Sequence, residues 1–150
     1  MSVRWFAGPL VVLLALVTSG CGGPNTPGGI IVAGRVLNNG KPMELVRPDV
    51  GVGMLEVALV PDGGGGAGKE VAKADKDGNF EFRGPGNGVP PGTYKLVVRH
   101  WKNGMGTKDE LDGRFTEEKT PIKVDVPGTL IGKKHDLGVV ELSSYGKPGA

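Results

Sequence analysis

A glycine-rich segment is the first place where residue types and spacing suggest chemistry. Residues 63–70 read GGGGAGKE and are similar to the phosphate-binding loop G-x-x-x-x-G-K-[ST], in which backbone N–H groups hold phosphates and a hydroxyl binds Mg²⁺. Glu70 stands where that hydroxyl is required, and a short strand is predicted next, instead of the helix whose N-terminus would hold the phosphates. We therefore interpret residues 63–68 as a loop between strands, with nucleotide binding as the alternative.

A second segment spaces its oxygen ligands as the start of a calcium-binding loop does. Asp75, Asp77 and Asn79 occupy alternate positions, which suits a cation that prefers oxygen. Such a loop needs a glutamate at its twelfth position and helices on both sides, whereas that position is Gly86 and strands are predicted on both sides. A β-hairpin explains the same residues, with Asp77-Gly78 as a type I′ dipeptide at the reversal.

The remaining reactive side chains are not spaced for catalysis or for metal binding. His100 and His135 lie on different segments without a Cys, Asp or Glu at ligand spacing near both. Alternation places His100 on the inward face of a strand end, where we expect a hydrogen-bonded residue at the edge of the core. Ser143 and Ser144 have no partner at a spacing diagnostic of a nucleophile. The sequence therefore predicts no catalytic residue, no metal and no cofactor.

The chemistry that the sequence does predict is lipidation of Cys21. Arg4 precedes the apolar run Trp5–Val17, which is too short to span a membrane and is typical of an export signal. The following Thr18-Ser19-Gly20-Cys21 resembles the lipobox of bacterial lipoproteins, which implies cleavage before Cys21 and acylation of its sulfur and its new amine. Cys21 is the only cysteine of the chain, so no intramolecular disulfide competes. An ordinary secretory signal or an N-terminal membrane anchor is the alternative.

Composition and charge exclude several classes of protein. The 150 residues include 28 Gly and 12 Pro without a Gly-X-Y repeat, which excludes collagen and argues against helical bundles. With 18 basic and 16 acidic side chains, nothing in the charge favours nucleic acid as a partner. We expect a lipoprotein signal peptide at residues 1–20, a flexible tether at 21–29, one domain at 30–143 and a flexible tail at 144–150.

The domain is predicted to consist of seven short strands. Apolar and polar residues alternate most clearly in residues 93–101 (TYKLVVRHW), where Tyr94, Leu96, Val98 and His100 share one face. Only residues 109–118 look helical, and Gly113 interrupts them. Short strands separated by turns at this spacing predict an all-β, antiparallel β-sandwich. The predicted strands are residues 30–37, 54–60, 70–74, 80–83, 93–101, 122–126 and 136–142.

Several motifs, taken in order, resemble the carboxypeptidase regulatory-like domain. They are VAGRV at residues 32–36, NGKP at 39–42, VALVP at 57–61, ADKDGNFEF at 74–82 and VPPGTYKLVV at 89–98. The resemblance implies a seven-stranded Greek-key sandwich of the transthyretin-like (prealbumin-like) type, which is common in small bacterial lipoproteins. It implies no peptidase activity, because this domain is an accessory module. The long segment at residues 43–53 and the polyglycine at 63–68 depart from the family pattern.

The sequence therefore predicts a lipoprotein held in the bacterial cell envelope, at the periplasmic face or the cell surface, by membrane lipid around its acylated Cys21. We expect its sandwich to be a non-catalytic structural or protein-interaction module that docks an unidentified envelope protein by strand addition at an exposed sheet edge. A carbohydrate-binding module for an envelope glycan is the alternative. Trp101 is its candidate ligand contact, because alternation points this side chain outward, and Tyr145 is the second aromatic available.

Overall fold

The computed structural model describes residues 28–63, 68–84, 88–104 and 108–146, which form an all-β structure of two sheets. The signal segment, Cys21 and most of the tether lie outside the described residues, as do residues 64–67 of the polyglycine segment and residues 147–150 of the tail. No helix in the described ranges has the length and apolar character needed to cross a bilayer. The strands are β1 (Ile31–Leu37), β2 (Met54–Pro61), β3 (Glu70–Ala74), β4 (Asn79–Phe82), β5 (Gly92–Trp101), β6 (Lys123–Val126) and β7 (Lys134–Glu141).

The two sheets have three and four strands. Strands β4, β1 and β7 form one sheet in that order, and β3, β2, β5 and β6 form the other. All pairs are antiparallel except β1 and β7, which run parallel from Ile31 opposite Lys134 to Leu37 opposite Glu141. The fully antiparallel sandwich that we predicted is therefore wrong for this pair. The connection after β6 stays at the end of the sandwich where β1 begins, so β7 starts beside the start of β1.

The core lies between the sheets and follows the predicted alternation. Tyr94, Leu96, Val98 and His100 on β5 are all buried. Both sheets contribute to one large apolar cluster, so they pack face to face as the layers of a sandwich. Because one face of each sheet is covered in this way, a slip of one residue in register would expose the apolar set. The largest fully buried side chains include Tyr94, Phe82, Phe115, Ile30, Leu55, Leu59, Leu96 and Leu142.

Residues 108–121 form a series of turns and not the helix that their pattern suggested. Leu111 and Phe115, four residues apart as on one helical face, both enter the core with 4% and 1% of their surface exposed. β6 pairs only with the first part of β5, and beyond it the N–H of Val98 donates to the carbonyl of Phe115 at 3.1 Å. The segment therefore completes the edge of the four-stranded sheet and covers the core beside it.

The polyglycine segment leads into a strand. Residue 70, which follows the GGGGAGK sequence, is the first residue of β3, and β3 continues to Ala74, where the turn to β4 begins. The strand confirms the interpretation of this segment as an inter-strand connection. It also removes the helix N-terminus on which phosphate binding by such a loop depends.

Three short 3-10 turns complete the described structure, at Pro48–Val50, Gly128–Leu130 and Leu142–Ser144. The first lies in the long connection between β1 and β2, the second between β6 and β7, and the third directly follows β7. The predicted tail therefore begins inside the third turn, and its residues 144–146 pack near residues 114–121.

Candidate functional site

The sandwich has two ends, and the chain enters the first strand at only one of them. The near end is defined by Ile30, Val89 and Lys134, where the chain enters β1 and where β7 begins. The far end is defined by residues 38–53, 75–79 and 142–146, which lie beyond the last residues of β1, β3 and β7. Whatever precedes residue 28 is attached at the near end, so the far-end turns are directed away from that attachment.

Close backbone contacts between glycines fix the chain entry at the near end. A Cβ on Gly88, whose φ is +106°, would lie 2.5 Å from the backbone nitrogen of Ile30 and 2.6 Å from the carbonyl carbon of Gly29. Beside this contact, Ile30 and Val89 exchange two N–H···O bonds of 2.8 Å each. Both of these side chains are fully buried. The segment that leads into β1 is thus joined to the connection between β4 and β5.

Glu141, the last residue of β7, holds the first far-end turn. Its Oε1 and Oε2 accept the backbone N–H groups of Asn39 and Gly40, at 2.8 Å each, and Oε1 also accepts the hydroxyl of Ser143 at 2.6 Å. The bond from Ser143, with those from the backbone, holds the pKa of Glu141 below its ordinary value of 4.5 although burial opposes this. Asn39 and Gly40 have φ of 53° and 71°, so this dipeptide forms the type I′ turn of the far end.

Asp75 holds the turn between β3 and β4, which is not the β-hairpin that we predicted, because β3 pairs with β2 and β4 pairs with β1 in the other sheet. Its Oδ1 accepts the N–H groups of Asp77 and Asn79 at 2.9 Å each, and its Oδ2 accepts the side-chain amide of Asn79 at 3.0 Å. Burial raises the pKa of Asp75, but the bonds from Asn79 and Asp77 outweigh burial and the net pKa is lowered. The carboxylate that the spacing suggested for calcium is therefore engaged in stabilising a turn.

The turn between β3 and β4 also differs from the predicted type I′ turn. That turn needs positive φ at both central residues, and of Asp77 and Gly78 only Gly78 has it, at 84°. The loop has three residues, 76–78, and is closed by the N–H of Asp75 donating to the carbonyl of Asn79 at 2.9 Å. The prediction was wrong because the Asp75 carboxylate draws the next N–H groups into a right-handed turn, which leaves only the last loop residue left-handed.

Asp109 and His100 join two long connections to the end of β5. Oδ1 of Asp109 accepts the backbone N–H of His100 at 3.0 Å and that of Leu111 at 3.1 Å. The His100 side chain is 6% exposed, and its Nε2–H donates to the carbonyl oxygen of Glu44 at 2.8 Å. Lys102 forms an ion pair with the Glu44 carboxylate at 2.7 Å. The predicted hydrogen-bonded histidine at the edge of the core is confirmed, and its partner is the connection between β1 and β2.

The two aromatic residues proposed for sugar stacking lie in different surroundings. Trp101 is the last residue of β5, opposite Met54 of β2, and is half-buried. Tyr145 follows β7, is 37% exposed and lines a cavity with Arg114 and Pro121, to which Trp101 does not contribute. The structure therefore does not bring the two rings together as one stacking surface.

The other reactive side chains are also kept apart. His135 lies near the start of β7, with Nε2 3.2 Å from the carbonyl oxygen of Asp125, whereas His100 lies at the far end. The hydroxyls of Ser143 and Ser144 both donate to Glu141 at 2.6 Å, to its carboxylate and to its carbonyl oxygen. Across the described ranges, no three His, Cys, Asp or Glu side chains are grouped so that they could hold a metal ion.

A shallow concavity of about 520 Å³ lies on the outer face of the three-stranded sheet, over Ala33 and Gly34. The charged side chains around it are engaged with neighbours. Lys134 forms an ion pair with Glu81 at 3.1 Å, and Nε of Arg35 donates to the carbonyl of Asp77 at 2.8 Å. This face is therefore a surface of mixed charge in which these groups are already matched.

The motifs behind the family resemblance lie on β1 and the turn after it, on β2, on the end of β3 with the turn to β4 and β4 itself, and on β5. The last of them carries Tyr94 into the core, where its hydroxyl donates to the carbonyl of Pro90 at 2.7 Å. Searches against protein-family models, curated proteins and solved structures find no match to the chain. The support for a family is thus the order of the motifs and the strands that carry them.

Proposed function

We propose that the protein is a lipoprotein of the bacterial cell envelope, anchored through acylated Cys21, whose non-catalytic β-sandwich presents its far end to another envelope protein. The observation that carries the proposal is the separation of the two ends. The chain enters at the near end, where the backbone around Ile30 and Val89 is tightly joined. The turns held by Glu141, Asp75 and Asp109 lie at the opposite end.

Chain length allows the far end to stand well above the membrane. Residues 21–29, fully extended, span at most about 30 Å. The strand β1 has seven residues and runs from the near end to the far end, which adds about 23 Å. With two or three acyl chains in the bilayer, the anchor is lasting and the sandwich stands off the surface. The far-end turns are then the part of the domain that a partner in the envelope meets first.

The far-end turns are also better suited to docking than the edges of the sheets. Of the four edge strands, β4 and β6 have four residues each and β3 has five, and β7 carries a bulge at Gly138, whose N–H donates to the Asp136 carboxylate at 2.8 Å. Short and bulged edges disfavour strand addition. At the far end, Val50 is 54% exposed in a short 3-10 turn that is closed by the N–H of Gly51 donating to the carbonyl of Pro48 at 3.2 Å.

We assign the domain to the carboxypeptidase regulatory-like family, with a transthyretin-like Greek-key topology. The motif order supports this assignment. So does the crossing of the chain after β3, because β4 follows β3 after a short turn and pairs with β1 in the other sheet. A strand that returns beside the first strand of the fold is the mark of a Greek key.

Lipidation is tested by replacing Cys21 with serine. The wild-type protein should partition into the detergent phase of a Triton X-114 extract, and the Cys21→Ser protein should move to the aqueous phase. Retention of the variant in the membrane would show that another segment anchors the chain and would contradict the lipoprotein assignment.

The role of the far end is tested by photo-crosslinking in intact cells. A benzophenone amino acid replaces Val50 in one variant and Ile131 in a matched control, since Ile131 is also an exposed aliphatic residue, at 43%, but lies at the near end. We expect a protein adduct from position 50 and none from position 131. Adducts from position 131 alone, or from neither, would contradict the proposal. Quenching of Trp fluorescence by envelope glycans that Trp101→Ala abolishes would favour the carbohydrate-binding alternative.

A further inference from the structure

A second cavity, of about 250 Å³, lies between residues 114–121 and the turn that follows β7. Its apolar lining residues are Phe115, Pro121 and Tyr145. The other described lining residues are Arg114, Lys119, Ser144 and Gly146, so none of them is acidic. An apolar cavity with a few polar groups of one sign is the usual form of a small-molecule site. Its volume suits one ring with one charged group.

Arg114 is the unusual residue of this cavity. It is half-buried, and its guanidinium carbon lies 5.0 Å from the centre of the Phe115 ring. Its Nε is buried and has no hydrogen-bond partner within the described structure. Buried donors are nearly always satisfied in folded proteins, because an unmade hydrogen bond costs free energy. Arg35 and Arg83 do have partners, the carbonyl of Asp77 and the Glu81 carboxylate.

The positive charge at this cavity is not neutralised by an ion pair, although Lys119 is near enough to Glu118 to help lower the pKa of that carboxyl. The ion pairs of the described residues involve neither Arg114 nor Lys119. The Ser144 hydroxyl, by contrast, is already engaged with the Glu141 carbonyl at 2.6 Å. Two cations beside aromatic and proline surfaces therefore face a cavity that none of its described lining residues neutralises.

We propose that this cavity binds a small aryl carboxylate, in which a carboxylate group is attached to a planar ring. A guanidinium matches a carboxylate in a planar, two-bond arrangement that no point charge can reproduce. A turn of the Arg114 side chain towards the cavity replaces an unpaired Nε–H with a charge-assisted bond. Lys119 supplies the second positive charge, and the faces of Tyr145 and Pro121 enclose the ring. The inference does not rest on the proposed function, because the cavity belongs to the sandwich alone.

The test is an NMR titration of the full-length, ¹⁵N-labelled protein in detergent micelles. Benzoate is the probe, benzyl alcohol carries a similar ring without the charge, and inorganic phosphate carries charge without the ring. We expect saturable shifts at residues 114–121 and 144–146 with benzoate, with a dissociation constant on the order of 1 mM. Equal binding of benzyl alcohol or of phosphate would overturn the proposal, as would the absence of shifts at these residues.

Variants separate the roles of the lining residues. Arg114→Gln and Arg114→Lys should both weaken benzoate binding about tenfold or more, since both lose the planar fork. Arg47→Gln, at an exposed far-end arginine outside the cavity, should leave binding unchanged. Tyr145→Ala alters an exposed side chain, so a folded variant with weakened binding is expected even if Arg114 variants unfold. Unchanged binding in folded Arg114 and Tyr145 variants would refute the site.

The source of the carboxylate is distinguished by a further pair of probes. N-acetylphenylalanine presents a ring and a carboxylate as the end of a peptide does, and its amide lacks the charge. Tighter binding of N-acetylphenylalanine than of benzoate would contradict an aryl carboxylate and would point to a peptide terminus instead. The reverse order would identify a free small molecule. Equal binding of N-acetylphenylalanine and its amide would contradict recognition of the carboxylate.

Discussion

Replacement of Gly88 by alanine tests whether the near end holds the entering chain rigidly. The φ of Gly88 is +106°, and an added Cβ would lie within 2.8 Å of three backbone atoms, two of Ile30 and one of Gly29. Real Cβ atoms do not approach backbone so closely, and backbone has no rotamer through which to move away. The segments must therefore separate, and the two hydrogen bonds between Ile30 and Val89 are the first to be lost.

The magnitude follows from a comparison with Gly63→Ala. Gly63 has a similar φ of +117°, but an added Cβ there meets no heavy atom of the described residues within 4 Å. Both variants incur the conformational cost of an unfavourable φ, about 1–3 kcal/mol. Only Gly88→Ala also loses the two hydrogen bonds, at about 1 kcal/mol each. We therefore expect Gly88→Ala to unfold at a Tm about 6–10 °C below that of Gly63→Ala.

Thermal unfolding of the purified proteins, followed by circular dichroism under identical conditions, measures this difference. The wild-type Tm is the common reference, and Gly63→Ala is the control for conformation alone. Equal Tm values for the two variants would refute the reasoning, because they would show that the backbone around Gly88 and the entering chain can move apart without loss of stability. A Gly88→Ala protein that fails to accumulate while Gly63→Ala accumulates agrees with the prediction.

Three further variants test other features. Glu141→Gln should lower the Tm at pH 7, because the lowered pKa of Glu141 means that its charged form stabilises the fold above pH 4.5. This stabilisation is lost as the pH falls through the pKa that Glu141 has in the folded protein, so the Tm difference between variant and wild type should vanish in acid. Glu70→Gln should raise the Tm at pH 7, because burial raises the pKa of Glu70, so that its charged form destabilises the fold once the pH exceeds the ordinary value of 4.5. The Tm values of variant and wild type should converge below pH 4.5, and a variant Tm below that of wild type at pH 7 would contradict a destabilising charge at Glu70. Thr120→Val should lower the free energy of unfolding, measured by chemical denaturation, by about 1–3 kcal/mol, because the buried Thr120 hydroxyl donates to the carbonyl of Leu96 at 2.6 Å. Thr120→Ser keeps this hydrogen bond, so a larger loss of stability in Thr120→Ser than in Thr120→Val would refute the role of the bond.

Much of the fold follows from local patterns in the sequence. Each described strand lies within two residues of a predicted one at its start and one at its end, because period-two alternation is forced by the pleat of a strand. The inward set on β5, from Tyr94 to His100, is also local, since it depends only on which residues alternate. The Asn39-Gly40 turn is indicated by the dipeptide itself, whose two residues tolerate positive φ.

Other features depend on contacts between segments that are distant along the chain. No local pattern reveals that Glu141 binds the turn at residues 39–40, about a hundred residues earlier. Nor does one reveal that β7 pairs parallel to β1, because that direction depends on where the β6–β7 connection lies. The type I′ prediction at Asp77-Gly78 failed for a related reason, since the side chain of Asp75 decides the turn and not the dipeptide.

The sequence by itself determined that the chain is all-β, where its strands lie and which residues face inward, because these follow from alternation and turn residues read over a few positions. It also supplied the prediction of an export signal and of lipidation at Cys21. Only the tertiary structure decided that the chain enters at one end and that three carboxylates hold turns at the other. It alone placed Arg114 beside Tyr145, 31 positions apart in the sequence, in one cavity. This proximity results from tertiary packing, which the local periodicity of the sequence does not reveal.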